Sequence, residues 1–202
     1  MTTAKPIKTP TLTWRFGVFS LVSITILCLD QIVKAIVRAA ASTGLFPIHV
    51  ISGVLGLTFV RNTGAAFSFG EGGGMAFVAL AVIVVSGEIF YLVRADKLSR
   101  LEVAGLAMVA GGAVGNAVDR VVFGFVTDFI ATLFIDFPVF NIADIGITVG
   151  VVLALIGFIF LSPASRDVNA TEELNRRDEA RAARHARARG ERAAKMRKRN
   201  ER

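Results

Sequence analysis

The sequence is short of the residues that staple or metallate a protein. It holds one cysteine, Cys28, inside an apolar run. A single thiol excludes a disulfide framework and a thiolate zinc site, and its expected role is that of a small buried hydrophobe. The two histidines, His49 and His185, lie far apart. Neither has a ligand partner at a helical or loop spacing, so no metal and no cofactor is expected. Charge is scarce as well. The 165 residues before Arg166 carry 10 Lys/Arg and 9 Asp/Glu, whereas Arg166 to Arg202 carry 13 and 7. The formal charge of +7 therefore belongs mostly to a tail, and no nucleic-acid partner is expected of the body.

Apolar residues dominate what remains. The chain is 53% hydrophobic with mean hydropathy +0.60, outside the range of ordinary water-soluble domains. Four stretches are long enough to cross about 30 Å of hydrocarbon: Trp14 to Val37, Met75 to Val93, Leu101 to Val118 and Phe140 to Leu161. The expected fold is mainly α, a polytopic membrane protein of four transmembrane helices with a small β-sheet on the extracytoplasmic side. Lys5, Lys8 and Arg15 precede the first span, Arg94, Lys97 and Arg100 separate the second from the third, and the Arg-rich tail follows the fourth. With four spans these cations share one side, which should be cytoplasmic. The first span has a basic start and ends near Ala39-Ala40-Ala41, as a cleaved signal would. Asp30, Gln31 and Lys34 intervene, so it is taken as a retained anchor. The expected divisions are a cytoplasmic N-terminus (1–13), a membrane domain (14–165) with an outer β-containing segment (38–74), and a basic cytoplasmic tail (166–202). The tail is rich in Ala, Arg and Glu and is expected to be helical or disordered, with weak adhesion to anionic lipid as its possible use.

In the outer segment, His49 to Val60 is rich in β-branched residues with glycine punctuation and predicts two short strands and a turn. Gly70 to Gly74 predicts a flexible connector. Ala107, Gly111 and Gly115 form a small-residue ridge at four-residue spacing, and Gly146 and Gly150 repeat that spacing in the fourth span. Close packing of spans three and four follows.

Acidic side chains at a membrane boundary are costly and mark function. Asp119, Asp128, Asp136 and Asp144 all fall near the outer interface, where water is available. Two carboxylates sharing a site cannot both ionise cheaply. One keeps a proton and donates it, while the other draws a proton from water, which is the minimal equipment for splitting an amide. Spacing alone leaves open which two pair. The sequence-based picture is of two acids from neighbouring membrane helices meeting around one water. Asn116, Asp119 and Arg120 share a helix face at i, i+3 and i+4, with an Asp119–Arg120 ion pair as one reading. Asn141 and Asp144 stand at i, i+3. Asp30 and Lys34, at i, i+4, read as a buried structural pair. Asn62, followed by Thr63, Gly64 and Ala65, suits a tight turn or a place where substrate backbone lies close.

Five blocks in this order resemble the lipoprotein signal peptidases, the type II signal peptidases of bacterial inner membranes. They are Asp30-Gln-Ile-Val-Lys34, Arg61-Asn-Thr-Gly-Ala-Ala-Phe67, Gly111 to Arg120, Phe125-Val-Thr-Asp-Phe129 and Phe140-Asn-Ile-Ala-Asp144. The resemblance runs from about Leu29 to Leu161. It implies an aspartic endopeptidase that removes signal peptides from lipid-modified prolipoproteins, cutting just before a diacylglyceryl-cysteine. It selects Asp128 and Asp144 as the catalytic pair. Asn62, Asn116, Arg120 and Asn141 become candidates to position substrate or orient the dyad, and Asp30, Lys34 and Asp119 candidate supports. It also implies membrane lipid and the peptide antibiotic globomycin as binding partners. The tail is longer and more basic than the family pattern needs. Two other classes compete: a Ser-Lys peptidase using Lys34 with Ser42, Ser52 or Ser68, and a small four-span transporter or scaffold. A transporter would need acids near the bilayer midplane, and here they gather at one end.

Overall fold

The computed structural model describes residues 9–64, 73–162 and, in the tail, 174–176, 178–179 and 181–182. The chain divides into Met1–Ser162 and Pro163–Arg202. The described tail residues are helical; the rest of the tail, including His185, lies outside the described residues, as do Lys5, Lys8, Phe67, Ser68 and most of the Gly70 to Gly74 connector.

The first unit holds four helices, α1 (Leu12–Ala41), α2 (Gly74–Arg94), α3 (Arg100–Phe123) and α4 (Ile142–Ile156), the last continued by a π-helical turn, Gly157–Leu161. Three antiparallel strands, β1 (Ile48–Ile51), β2 (Leu55–Asn62) and β3 (Val126–Thr132), form one sheet in the order β1-β2-β3. All four helices are long and apolar enough to cross a membrane, and the protein is a multi-pass membrane protein. Every predicted span is present, within a few residues at each end.

Local chemistry sets the helix limits. Thr11 caps α1 by accepting from the Trp14 N–H. Ser99 and Glu102 form a reciprocal capping box at the start of α3. Gly124, at φ +77°, takes the left-handed conformation that ends α3 and turns the chain into β3. At 30 residues, α1 measures about 45 Å at 1.5 Å per residue, longer than the hydrocarbon. Its last turns, with Asp30, Lys34 and Arg38, therefore reach the Phe123 end of α3 and the Ile142 end of α4.

The central helix is α3, which buries Val103, Ala107 and Ala110 against Phe19, Leu92 and Leu98. Near this core the buried Arg15 donates to the carbonyls of Leu92 and Ala95, at 3.0 and 2.6 Å, satisfying the C-terminal end of α2. Spans three and four do pack closely, but on a different row of small residues from the predicted ridge. A Cβ on Gly105 would stand 2.6 Å from the Gly150 carbonyl oxygen, and one on Gly112 would strike Ala143. The predicted ridge faces α1 instead. Ser23 donates to the Ala107 carbonyl at 2.8 Å, a Cβ on Gly111 would lie 2.6 Å from the Ser23 carbonyl, and one on Gly115 would lie 2.7 Å from Asp30 Oδ2. With two neighbours to approach, α3 carries small residues on two faces. Cys28 is exposed on α1 rather than buried, because an apolar position on a membrane helix is as readily turned to lipid as to protein.

The sheet has one strand more than expected. β1 and β2 account for the predicted hairpin, and β3 adds to β2 with Val60 opposite Asp128 and Asn62 opposite Val126. Asp128 is therefore a strand residue. The picture of two acids from neighbouring helices is corrected: one comes from the sheet and one from α4.

Gly105→Ala should destabilise the bundle by about 1–3 kcal/mol, the usual scale of overpacking. Gly17→Ala on α1, where among the described residues no packing neighbour lies within 4 Å of the added methyl, should be neutral or slightly stabilising. Thermal unfolding of the two variants in the same detergent measures the difference.

Candidate active site

Asp144 owes its position to the way α4 begins. Asn141 is the N-cap: its side-chain oxygen accepts from the Asp144 N–H at 3.0 Å, and its own N–H donates to Asp144 Oδ2 at 3.0 Å. This capping box holds the carboxylate at the N-terminal end of the helix, where the helix dipole also favours negative charge. The side-chain amide of Asn141, wholly buried, is then free to serve the other acid. Its Nδ2 donates to Asp128 Oδ1 at 2.6 Å and to Asn116 Oδ1 at 3.1 Å.

Asp128 comes from β3. Its second oxygen accepts from Asn62 Nδ2 at 2.8 Å, at the end of β2. Asn62 also accepts from the Gly64 N–H at 3.0 Å, so it makes the expected tight turn and reaches the carboxylate at once. Asn116, on α3, donates to Asp144 Oδ1 at 2.8 Å. Each carboxylate thus has both oxygens held by amide N–H donors. Burial pushes the Asp128 carboxyl up to about 6, against the opposing hydrogen bond from Asn62. The nearby Asp144 raises it further, and the Asn141 hydrogen bond and Lys34 pull it back.

Behind this pair lies a compensated charge cluster. Lys34 and Asp30, both fully buried, are 2.8 Å apart, and Lys34 lies 3.6 Å from Asp119. The Lys34 ammonium also donates to Asn116 Oδ1 at 2.8 Å. Because that oxygen accepts from a cation, the Asn116 amide must present its NH2 to Asp144. Asp30 reaches across to accept from the Ala143 N–H at 2.9 Å, tying α1 to the first turn of α4. Asp119 accepts from the Thr127 N–H at 2.8 Å and from Arg38 at 3.3 Å.

Arg120 does not pair with Asp119. Its guanidinium lies 4.8 Å from the Phe77 ring centroid and donates to the Gly64 carbonyl at 2.7 Å; among the described residues its buried Nε–H has no acceptor. Of the four acids that spacing left open, Asp128 and Asp144 line one cleft together with Asn62, Asn116 and Arg120. Asp119 is buried behind it and Asp136 is exposed on the loop. The cleft has a volume of about 520 Å³. Its other wall is apolar: Phe137, Pro138, Val139 and Phe140, then Ile145 and Val149 descending α4.

Sequence reasoning passed over Gln31, Arg38 and Thr127. Gln31 donates to the Gly115 carbonyl at 3.0 Å. Arg38 stands four residues after Lys34, on the same helix face as Asp30 and Lys34, whereas Gln31 and Thr127 lie inside the blocks that carry the resemblance but were given no role of their own. The Ser-Lys alternative loses its base, since Lys34 is held by Asp30 and Asn116 and Ser42 donates to the Ala39 carbonyl.

The description Signal peptidase (SPase) II belongs to a family model that matches residues 22–160. The chain is 42% identical over 128 residues to a Streptococcus thermophilus protein named lipoprotein signal peptidase, covering 63% of this chain and 83% of that one. A protein of the same name from Halalkalibacterium halodurans is 36% identical over 160 residues, covering 78% and 99%. Two solved structures, described as a bacterial membrane enzyme obtained by the in meso method at 2.3 and 1.9 Å, are each 30% identical. They superpose with TM-scores of 0.63 and 0.62, covering 71% of this chain and 88% and 94% of theirs.

Replacing Lys34 with Met would leave Asp30 short of its closest counter-charge inside the bundle. Removal of one partner of a buried pair costs about 3–5 kcal/mol, so Lys34→Met should lower the unfolding midpoint in detergent far more than a substitution at an exposed loop position such as Asp136→Asn.

Proposed function

The chain belongs to the signal peptidase II family, and from that premise we propose that it is a membrane aspartic endopeptidase that removes signal peptides from lipid-modified prolipoproteins, with Asp128 and Asp144 as its dyad. The single observation that carries the assignment is that one buried residue, Asn141, bonds both carboxylates at the edge of one cleft.

A water between the two acids is activated by the ionised member and attacks the scissile carbonyl. The protonated member donates to the carbonyl oxygen, and a proton is then passed to the departing amine. The pair carries one proton between them. Asn62, Asn116 and Asn141 orient the carboxylates. Arg120 ties α3 to the turn at Gly64 and lines the cleft beside the dyad. Asp30, Lys34 and Asp119 support the site from behind.

The substrate is a precursor carrying a diacylglyceryl-cysteine, cut just before that residue. The apolar wall of Ile145, Val149 and Phe137 lets such a substrate enter sideways, its acyl chains still in lipid. Tethering through the lipid removes much of the entropic cost of positioning the bond. A peptide-like inhibitor such as globomycin fits the same cleft. The location that agrees with the cation distribution is the bacterial inner membrane, with the site facing outward. The N-terminus (1–13) and the basic tail (166–202) are then cytoplasmic, flanking the membrane domain (14–165) whose outer segment (38–74) holds the clamp at Asn62.

Asp128→Asn and Asp144→Asn should each abolish cleavage of a diacylglyceryl-modified precursor by the purified protein while leaving it folded. An unmodified twin of that precursor should not be cut by the wild type. Turnover by either variant at the wild-type rate would refute the dyad, and equal cleavage of both precursors would refute the lipid requirement.

The pH profile follows from the state of Asp128. Above about 6 the pair loses its shared proton and with it the general acid, so kcat/KM should fall as pH rises through that value. Asn62→Ala removes a hydrogen bond that favours the ionised carboxylate. It should therefore move this descending limb to higher pH, whatever it does to the absolute rate.

A further inference from the structure

Arg38 sits in the last turn of α1 and belongs to none of the motifs that define the site. Its guanidinium lies 4.2 Å from the ring centroid of Phe123, in the last turn of α3. One nitrogen, Nη1, donates both to Asp119 Oδ1 at 3.3 Å and to Thr127 Oγ1 at 3.0 Å. Asp119 Oδ2 in turn accepts from the Thr127 N–H at 2.8 Å. Three side chains from α1, α3 and β3 thus close a ring, and Thr127 immediately precedes Asp128.

We propose that Arg38 is a positioning residue for the reaction: with Asp119 it clamps Thr127 against the helices and so sets the depth at which Asp128 enters the cleft. The inference rests on the reading of Asp128 and Asp144 as the dyad.

The argument is one of geometry. Asp144 is placed by the rigid first turn of its own helix. Asp128 is carried by a strand, and side chains alternate along a strand. Thr127 therefore faces the helices and Asp128 the cleft. β2 fixes the strand along one edge, with Val60 opposite Asp128. The bridge between Ile130 and Phe140 holds its far end. Neither contact sets how near β3 lies to α1 and α3 at residue 127. The Thr127 N–H bond to Asp119 does so, and Arg38 completes it by holding both the Asp119 carboxylate and the Thr127 hydroxyl. Arginine suits this place, because its planar head stacks on Phe123 while it donates at the edge. Lysine could keep one of these contacts but not all three.

The test uses the full chain in detergent with a diacylglyceryl-modified precursor. Arg38→Met and Thr127→Val should each lower kcat by roughly ten- to hundredfold, the scale of a misplacement near 1 Å, with KM within about twofold of wild type because both residues lie outside the cleft. Combining them should add little to the larger single effect, since both remove the same contact. Arg38→Lys should recover part of the loss. Asp128→Asn, run beside them, separates the two readings. If it is inactive while Arg38→Met and Thr127→Val keep kcat within twofold of wild type, the clamp is wrong and the dyad stands. If Asp128→Asn turns over substrate, the dyad falls and the clamp with it. A lowered unfolding midpoint with unchanged kcat per folded molecule, or full multiplication of the two effects in the double variant, would also overturn the positioning role. Should Arg38→Met fail to fold, Thr127→Val alone decides, because it keeps the shape of the side chain and the backbone bond to Asp119.

Discussion

Asn141 is the residue through which the site is assembled. Its backbone N–H and side-chain oxygen begin α4 and fix Asp144, while its side-chain amide reaches Asp128 on the sheet. An ordinary helix-capping box is thereby turned into a link between two acids. Its complete burial matters. No water competes for the amide, and a buried amide with every group bonded has one orientation. A helix start, a strand and α3 are brought into register by a single side chain.

Placing two carboxylates side by side in a partly dry cleft needs compensation nearby. Among the described residues no cation bonds either member of the dyad directly. Lys34 lies one residue removed, between Asp30 and Asp119, and acts on Asp144 through the orientation of Asn116. A direct lysine contact would favour the ionised form of both acids and remove the proton that acid–base chemistry needs. Amide donors hold the geometry with a weaker bias. Burial therefore prevails over these hydrogen bonds and pushes the Asp128 carboxyl up to about 6.

The cost of the cluster is met by the small residues of α3. Gly115 leaves room for Asp30, and Gly105 and Gly112 let α4 come close. Close approach of the backbones brings Ala143 within hydrogen-bonding reach of Asp30 and Asn116 within reach of Asp144. In a membrane, where lipid competes on equal terms for apolar surface, such close packing is a main source of helix association. The same glycines therefore stabilise the bundle and position the site.

Long apolar runs and the placement of cations made the four helices legible, because spanning hydrocarbon demands about 20 apolar residues whatever the tertiary contacts. The β-branched run from His49 to Val60 likewise announced the hairpin, and five separated blocks announced the family. β3 was not legible. Val126 to Thr132 is short, carries an acid, and becomes a strand by pairing with β2 more than sixty residues earlier in the chain. The face of α3 that meets α4 was also misassigned, since two rows of small residues look alike until the neighbours are placed. Spacing left Asp128 and Asp144 as two of four acids near one interface, and only the family resemblance singled them out. Local rules act over three or four residues, and they settled the helices and the i, i+3 relation of Asn141 and Asp144. Which acids share a cleft, and which cations stand behind them, depends on side chains brought together from α1, β2, α3, β3 and α4, and no local rule contains that information.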